Sequence, residues 1–298
     1  MAVAPLPARA VFLIAALVAV LVVLGIVVAV CLAAQRPPRP QTLANITTIV
    51  GTRIPKVIWT YWNSEKISPF LQKCVKTWRL HHPDFLIILL TPATLGFYID
   101  LAPIRVPWND GPTRESDIVR ANVLAAHGGV WSDISIMLFA PCPQLQKVPV
   151  GTEFIGFYLD AFTTNPKSPV LENWWFATAP GGDFIVQWRN AFMTLHCTLS
   201  IAERVRIIQA EGVDLQKIHA SLKQYLFMHV AAQYVLQKGG PCVQTGMNLS
   251  KADEGPLQYL CKNAWNSEKA VKWVARQKQK PPMIKLRALE RKYAEQLL

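Results

Sequence analysis

The 298-residue chain lacks most of the short patterns that announce a catalytic metal or nucleophile. It has no H-E-x-x-H, no G-x-S-x-G and no P-loop, which removes the zinc-protease, α/β-hydrolase and P-loop nucleotidase readings. Its six cysteines (Cys31, Cys74, Cys142, Cys197, Cys242 and Cys261) show no C-x-x-C spacing, so a zinc knuckle or dithiol redox centre is not indicated. Cys242 and Cys261 are a candidate pair in an oxidising compartment, and the odd count outside the apolar N-terminus leaves at least one thiol free. His81 and His82 precede a proline and have no third ligand nearby, so they read as structural. Acidic residues are scarce: 19 Asp and Glu face 31 Lys and Arg, a formal net charge of +12. Much of that excess lies in residues 269–298, with nine Lys or Arg and two Glu. A solvated helix and a surface resting on anionic lipid headgroups both fit this run. No aromatic-interleaved basic motif accompanies it, which argues against nucleic acid as a partner.

What the chain does have begins with residues 11–34, which carry no charge and are almost wholly Val, Leu, Ala and Ile. At about 1.5 Å per residue such a run spans the ~30 Å hydrocarbon core, and it exceeds the ~7–15-residue apolar region of a secretory signal. A retained transmembrane signal anchor is therefore expected, with cleavage near Ala33 or Ala34 as the alternative. The divisions expected are a tail at 1–10, the anchor at 11–34, a proline-rich stem at 35–53 and one catalytic domain at 54–298. Arg36, Arg39, Arg53 and Lys56 follow the anchor, which by the positive-inside rule places the domain in the cytosol. The sequons at Asn45 and Asn248 favour a lumenal domain instead.

Beyond the stem, alternating patterns predict a strand at 56–60, a helix at 69–81, a strand at 85–90 and a short helix at 93–101. Further strands are expected at 153–159 and 173–178, and helices at 183–197 and 214–238. A β-α-β-α order argues for a mainly parallel α/β sheet covered by helices, with ligands at the carboxyl ends of the strands. No internal repeat or second domain boundary is visible.

The most informative stretch is TRESDIVRANVLAAHGGVWSDISIML, residues 113–138. Thr113 after Pro112 suits a helix N-cap, and Gly128-Gly129 suits its end. Arg114, Asp117 and Arg120 are three residues apart and share a helix face. Residues 130–138 read as one strand with Trp131, Asp133 and Ser135 on the same side. A carboxylate at a buried strand mouth needs a partner. Arginines for phosphate, Asp117 for hydroxyls and Asp133 for a metal would suit a phosphorylated sugar. A surface ion pair at Asp117 and Arg120 and a turn residue at Asp133 are the plainer alternatives.

Ser116-Asp117-x-x-Arg120, then Leu124, Gly128, Gly129, Val130, Trp131 and Asp133, resembles the sugar-nucleotide site of glycosyltransferase family 32 and the related capsular-polysaccharide synthesis transferases. IPKVIWTYW (54–62), TWRLHHPDF (77–85), ENWWFATAPGGDFIVQW (172–188) and PPMIKLRALER (281–291) extend the resemblance over about residues 50–292. It implies a GT-A-like nucleotide-diphosphosugar transferase fold, here with an N-terminal transmembrane helix, and transfer from a UDP- or GDP-sugar to a glycan, polysaccharide or glycolipid acceptor with retention. It implies Trp59 near the base, Asp117 and Arg120 on the donor sugar, and Mn²⁺ or Mg²⁺ at Asp133. Arg114 belongs to the same donor-binding face, and Lys285 and Arg287 would close over the diphosphate. Ser135 stands where many family 32 members have a second aspartate, and a hydroxyl is a poorer ligand for a hard cation. Asp160, Asn173, Trp174 and Trp175 are acceptor candidates. For a eukaryotic source the resemblance implies a type II membrane protein of the Golgi. The alternative is a non-catalytic sugar-binding or scaffold subunit with a degenerate metal site at Ser135.

Overall fold

Ser68 accepts a hydrogen bond from the Leu71 backbone N–H and Pro69 occupies the first helical position, so the chain turns helical where the pattern predicts. The resulting helix, Pro69–His81, buries Phe70, Leu71, Cys74, Val75 and Trp78 along one stripe. It is one element of the computed structural model, which describes residues 41–100, 111–194 and 199–297. The strands are β1 (Val57–Tyr61), β2 (Leu86–Leu90), β3 (Gly129–Ser132), β4 (Ile136–Leu138), β5 (Phe154–Leu159), β6 (Val170–Thr178), β7 (Met247–Lys251) and β8 (Met283–Lys285).

Six strands form one sheet in the order β2-β1-β3-β6-β5-β7, and β4 pairs with β8 in a separate ribbon. The sheet is parallel through β2, β1 and β3, but β6 runs antiparallel to both β3 and β5. The expected mainly parallel sheet is therefore a mixed one. Both faces are covered. Ile58, Val130, Ile155 and Ala177 join the core formed with the Pro69–His81 helix. Val57, Trp59, Trp131, Phe154 and Phe176 join the opposite core, packed on the helices Pro112–His127, Asp183–Thr194 and Phe227–Lys238. Burial on both faces explains why β1 and β2 read as continuous apolar runs.

The fold-class expectation is corrected in its membrane part. Among the described residues no helix is long and apolar enough to cross a membrane. Residues 11–34, on which the anchor was expected, lie outside the described residues. Residues 41–53, expected within the stem, pack on the domain. Ile49 is buried, its N–H donates to Ile54 O at 2.8 Å, and the Gln41 N–H donates to Tyr98 Oη at 2.8 Å.

Several boundaries moved for local reasons. Gly111, with φ +79°, takes the N-cap of the helix Pro112–His127 in place of Thr113. Gly128 and Gly129 are demanded by space: a Cβ would lie 2.5 Å from Pro180 N at Gly128 and 2.7 Å from Val57 O at Gly129. The helix expected at 214–238 begins only at Phe227; before it Asp214 folds its carboxylate back to the Gln216 N–H, and Leu215 and Ile218 turn into the core. The short helix expected at 93–101 is a single 3₁₀ turn at Leu95–Phe97. The strand expected at 173–178 starts three residues earlier. Cys261 is a free thiol, and the side chain of its candidate partner Cys242 lies outside the described ones.

The most consequential correction concerns residues 130–138. They form two strands in two sheets, broken at Asp133. The Asp133 N–H donates to Trp174 O at 2.8 Å and its carbonyl accepts from the Ile136 N–H at 3.0 Å. This turn drops the chain out of the large sheet, so Asp133 and Ser135 no longer share a strand face with Trp131. Asp133 is left at the carboxyl end of β3.

Candidate active site

Three charged side chains of the helix Pro112–His127 are buried: Arg114 is 5% exposed, Asp117 2% and Arg120 4%. That removes the surface-pair reading, because charges this deep must be compensated. The Asp117 carboxylate lies 3.1 Å from Arg114 Nη1 and 3.4 Å from Arg120 Nη1, and it accepts from Asn173 Nδ2 at 2.9 Å. Burial pushes the Asp117 carboxyl upward, and Arg120 and Arg114 oppose it. Arg114 also donates to Gln224 O at 2.8 Å. It buttresses Asp117 from below and lines neither recess of the site.

Arg120 is the hinge of the arrangement. It donates to Asn173 O at 2.8 Å and Ser116 Oγ at 2.8 Å, reaches Asp133 Oδ1 at 3.2 Å, and lies over the Trp131 ring at 5.0 Å. Asp133 Oδ1 also accepts from Trp131 Nε1 at 3.0 Å, while Oδ2 meets Lys285 Nζ at 2.5 Å. Burial drives the Asp133 carboxyl upward, but Lys285 and Arg120 more than reverse this and hold it below the usual carboxylate range.

Two recesses meet over Arg120, Asp133 and Lys285. One, of about 430 Å³, is cationic and aromatic: Arg120, Lys285, Arg287 and Arg291 line it with Tyr61, Trp62 and Ser135. The other, of about 330 Å³, is largely apolar: Leu159, Phe162, Trp174, Leu222, Tyr225, Leu226, Leu257 and Trp265 surround Asn173, Glu172 and His229. Both volumes lie in the ~300–1,000 Å³ range of small-molecule sites.

The expected site residues divide accordingly. Asp117, Asn173 and Trp174 line the apolar recess, Ser135 lines the cationic one, and Arg120, Asp133, Lys285 and Arg287 border both. Trp59 does not reach either. It is fully buried, stacks on His127 at 5.6 Å and donates to Gly128 O at 2.9 Å. Its place beside the cationic recess is taken by Tyr61 and Trp62, at the carboxyl end of β1. Trp175 is core, 5.2 Å from the Phe157 ring, whereas Trp174 stacks on Phe157 and still borders the apolar recess. Asp160 is exposed, pairs with Lys251 at 3.3 Å and stands outside the recess walls. Arg287 is held by Glu290 through Nε at 2.9 Å and Nη2 at 2.7 Å, with its guanidinium 5.2 Å from the Trp265 ring.

Sequence reasoning missed Glu172, His229, Tyr225 and Arg291. Glu172 Oε2 lies 3.2 Å from His229 Nε2, both side chains being buried at the inner end of the apolar recess. Their helix and strand are far apart in the chain, and although Glu172 opens the block at 172–188, no spacing links it to His229. Tyr61 was within reach: period two along β1, with the rule that ligands sit at carboxyl strand ends, selects it over Trp59.

The fit to a divalent cation is poor. Mg²⁺ or Mn²⁺ seeks an oxygen-rich, near-octahedral shell. Here one carboxylate and the Ser135 hydroxyl are the available donors, and the Lys285 ammonium stands between them, 2.5 Å from Asp133 and 3.4 Å from Ser135 Oγ. Among the described residues no group of three or more His, Cys, Asp or Glu could hold a metal.

The family described as capsular polysaccharide synthesis protein matches residues 45–294. Inositol phosphoceramide mannosyltransferase 1 of Schizosaccharomyces pombe is 30% identical over 133 residues, which are 40% of this chain and 41% of that protein. The chain thus spans less than half the length of that curated relative. Among solved structures, the PaToxG glycosyltransferase is 14% identical with a TM-score of 0.36, covering 62% of this chain and 70% of that one. An active-site mutant of LgtC is 11% identical with a TM-score of 0.35, covering 66% and 73%.

Proposed function

The chain belongs to the capsular polysaccharide synthesis family, and from that premise we propose that it is a glycosyltransferase. It moves a sugar from a nucleoside-diphosphate sugar to an acceptor hydroxyl. The observation that carries this reading is the meeting of a cationic, aromatic recess with an apolar one over Arg120, Asp133 and Lys285.

The donor's diphosphate lies against Arg120, Lys285, Arg287 and Arg291, and its base stacks on Trp62, the half-buried aromatic beside the cationic recess. Guanidinium and ammonium groups aimed at a leaving diphosphate act where negative charge develops. Asp117, locked between two arginines and Asn173, offers a fixed acceptor for donor-sugar hydroxyls, which is orientation rather than bond-making. The acceptor enters the apolar recess, where Glu172 and His229 form a buried pair able to take a hydroxyl proton. An apolar wall of Leu222, Tyr225, Leu226, Leu257 and Trp265 suits a lipid-borne acceptor, consistent with the ceramide in the yeast relative's name. Similarity to family 32 supports retention at the anomeric carbon, and the same relative makes a mannose donor the first to try.

The test is transfer and donor hydrolysis by the purified chain across UDP- and GDP-sugars, with the product anomer read by NMR, beside Arg120→Ala. Turnover of one donor, lost in the variant, is the expected result. The engagement of Asp133 by Lys285 favours a second reading, a sugar-binding subunit without turnover. A donor that binds but is never consumed would establish that one.

A further inference from the structure

We propose that the Lys285 ammonium, rather than a divalent cation, supplies the positive charge beside Asp133, so that this chain binds its nucleoside-diphosphate donor without metal. The inference rests on the transferase reading above and concerns the same site.

The position of Lys285 is built rather than incidental. β8 pairs antiparallel with β4 and sets Lys285 opposite Ile136, one residue beyond Ser135. The register is clamped from both sides. The Leu286 N–H donates to Ser135 O at 3.2 Å, and the Tyr259 hydroxyl, on a fully buried ring, donates to Lys285 O at 2.6 Å. The lysine side chain is 11% exposed, so its ammonium is aimed at the Asp133 turn and not free in solvent.

The carboxylate is correspondingly occupied. Oδ2 takes Lys285, and Oδ1 takes Arg120 and Trp131. A divalent ion at Asp133 would displace a buried ammonium or sit beside it and a guanidinium, a like-charge arrangement that costs heavily away from bulk water. Ser135 offers only a neutral oxygen in return. An ammonium, by contrast, carries three N–H donors. Asp133 and Ser135 engage two of them, and the third remains for a phosphoryl oxygen in the recess that Lys285 lines. Lysine can thus do at this point what a bound cation does, as a fixed charge that needs no loading.

The experiment titrates UDP and GDP into the full chain by calorimetry, in EDTA and in millimolar Mn²⁺, with Mn²⁺ binding followed by electron paramagnetic resonance. Nucleotide affinity unchanged by EDTA, with no stoichiometric Mn²⁺ signal, is expected. Lys285→Met should lose about ten- to a hundredfold in affinity, in line with loss of one hydrogen bond between charged groups. Lys285→Arg, which keeps the charge, should retain most of it in EDTA, and thermal melts confirm that both variants fold. Nucleotide binding that vanishes in EDTA and returns with Mn²⁺ would overturn this inference while leaving the transferase reading intact. Absence of nucleotide binding under both conditions would remove both together.

Discussion

Asn173 on β6 donates its side-chain amide to Asp117 Oδ1 across 2.9 Å, tying the sheet to a helix residue 56 positions earlier. The same carboxylate is flanked by Arg114 and Arg120. Asp117→Ala leaves two buried guanidiniums short of their counter-charge. Breaking a buried pair in this way costs about 3–5 kcal/mol. Asn173→Ala removes that hydrogen bond and a weaker one from Nδ2 to Met228 Sδ at 3.5 Å, and costs about 1–3 kcal/mol. Urea unfolding of the two variants should preserve that order, and a smaller loss for Asp117→Ala would mean that water fills the gap.

Trp78 holds the strand that leaves the Asp133 turn. Its indole N–H donates to Ile136 O at 2.8 Å from a site only 1% exposed. Trp78→Phe keeps most of the apolar volume but strands that carbonyl, at about 1–3 kcal/mol. Unfolding midpoints at unchanged denaturant slope are the measurement, and an unaltered midpoint would show that the indole bond contributes nothing net.

His82 carries a pH dependence. Its Nε2 accepts the Cys142 N–H at 3.0 Å, and burial lowers its pKa. Asp84 pulls the other way and His81 adds to the lowering. The unfolded chain takes a proton near pH 6.5, whereas the folded chain resists it to lower pH. The unfolded state therefore binds more protons in that window, and stability from His82 is fully present above about pH 6.5 and is lost as pH falls toward the folded pKa. Comparing His82→Asn with the parent across pH 7 to 5 should show a shallower decline in the variant.

Cys74 and Cys142 should be inert thiols. Burial pushes both up to about 12, so neither forms appreciable thiolate near neutral pH. Peptide mass spectrometry after alkylation of the native chain at pH 8 should find both unmodified, with labelling only after denaturation. Native-state modification of either would mean that its core opens readily.

The helix Pro69–His81 is legible in the sequence because everything that defines it is local: Ser68, Pro69 and an apolar stripe. Asp117, Arg120 and Asp133 were legible for a similar reason, since 17 consecutive residues carry them all. The single strand drawn through 130–138 failed because alternation continues across a turn that backbone bonds from Trp174 and Ile136 create. Trp59 is fully buried, and only the depth of β1 in the sheet, which no local pattern records, decides that.

The family, the α/β class, the helix that carries Asp117 and Arg120, and the glycine pair that ends it can all be read along the chain. Those properties depend on neighbours within a turn or two, where dihedral preference, capping and side-chain period decide the outcome. The tertiary structure alone decided that Lys285 meets Asp133 across 152 residues, that Glu172 faces His229, and that a cationic and an apolar recess share one floor. Such meetings follow from strand order and register, above all the pairing of β4 with β8, and a distant pairing partner leaves no period in the chain for a reader to find.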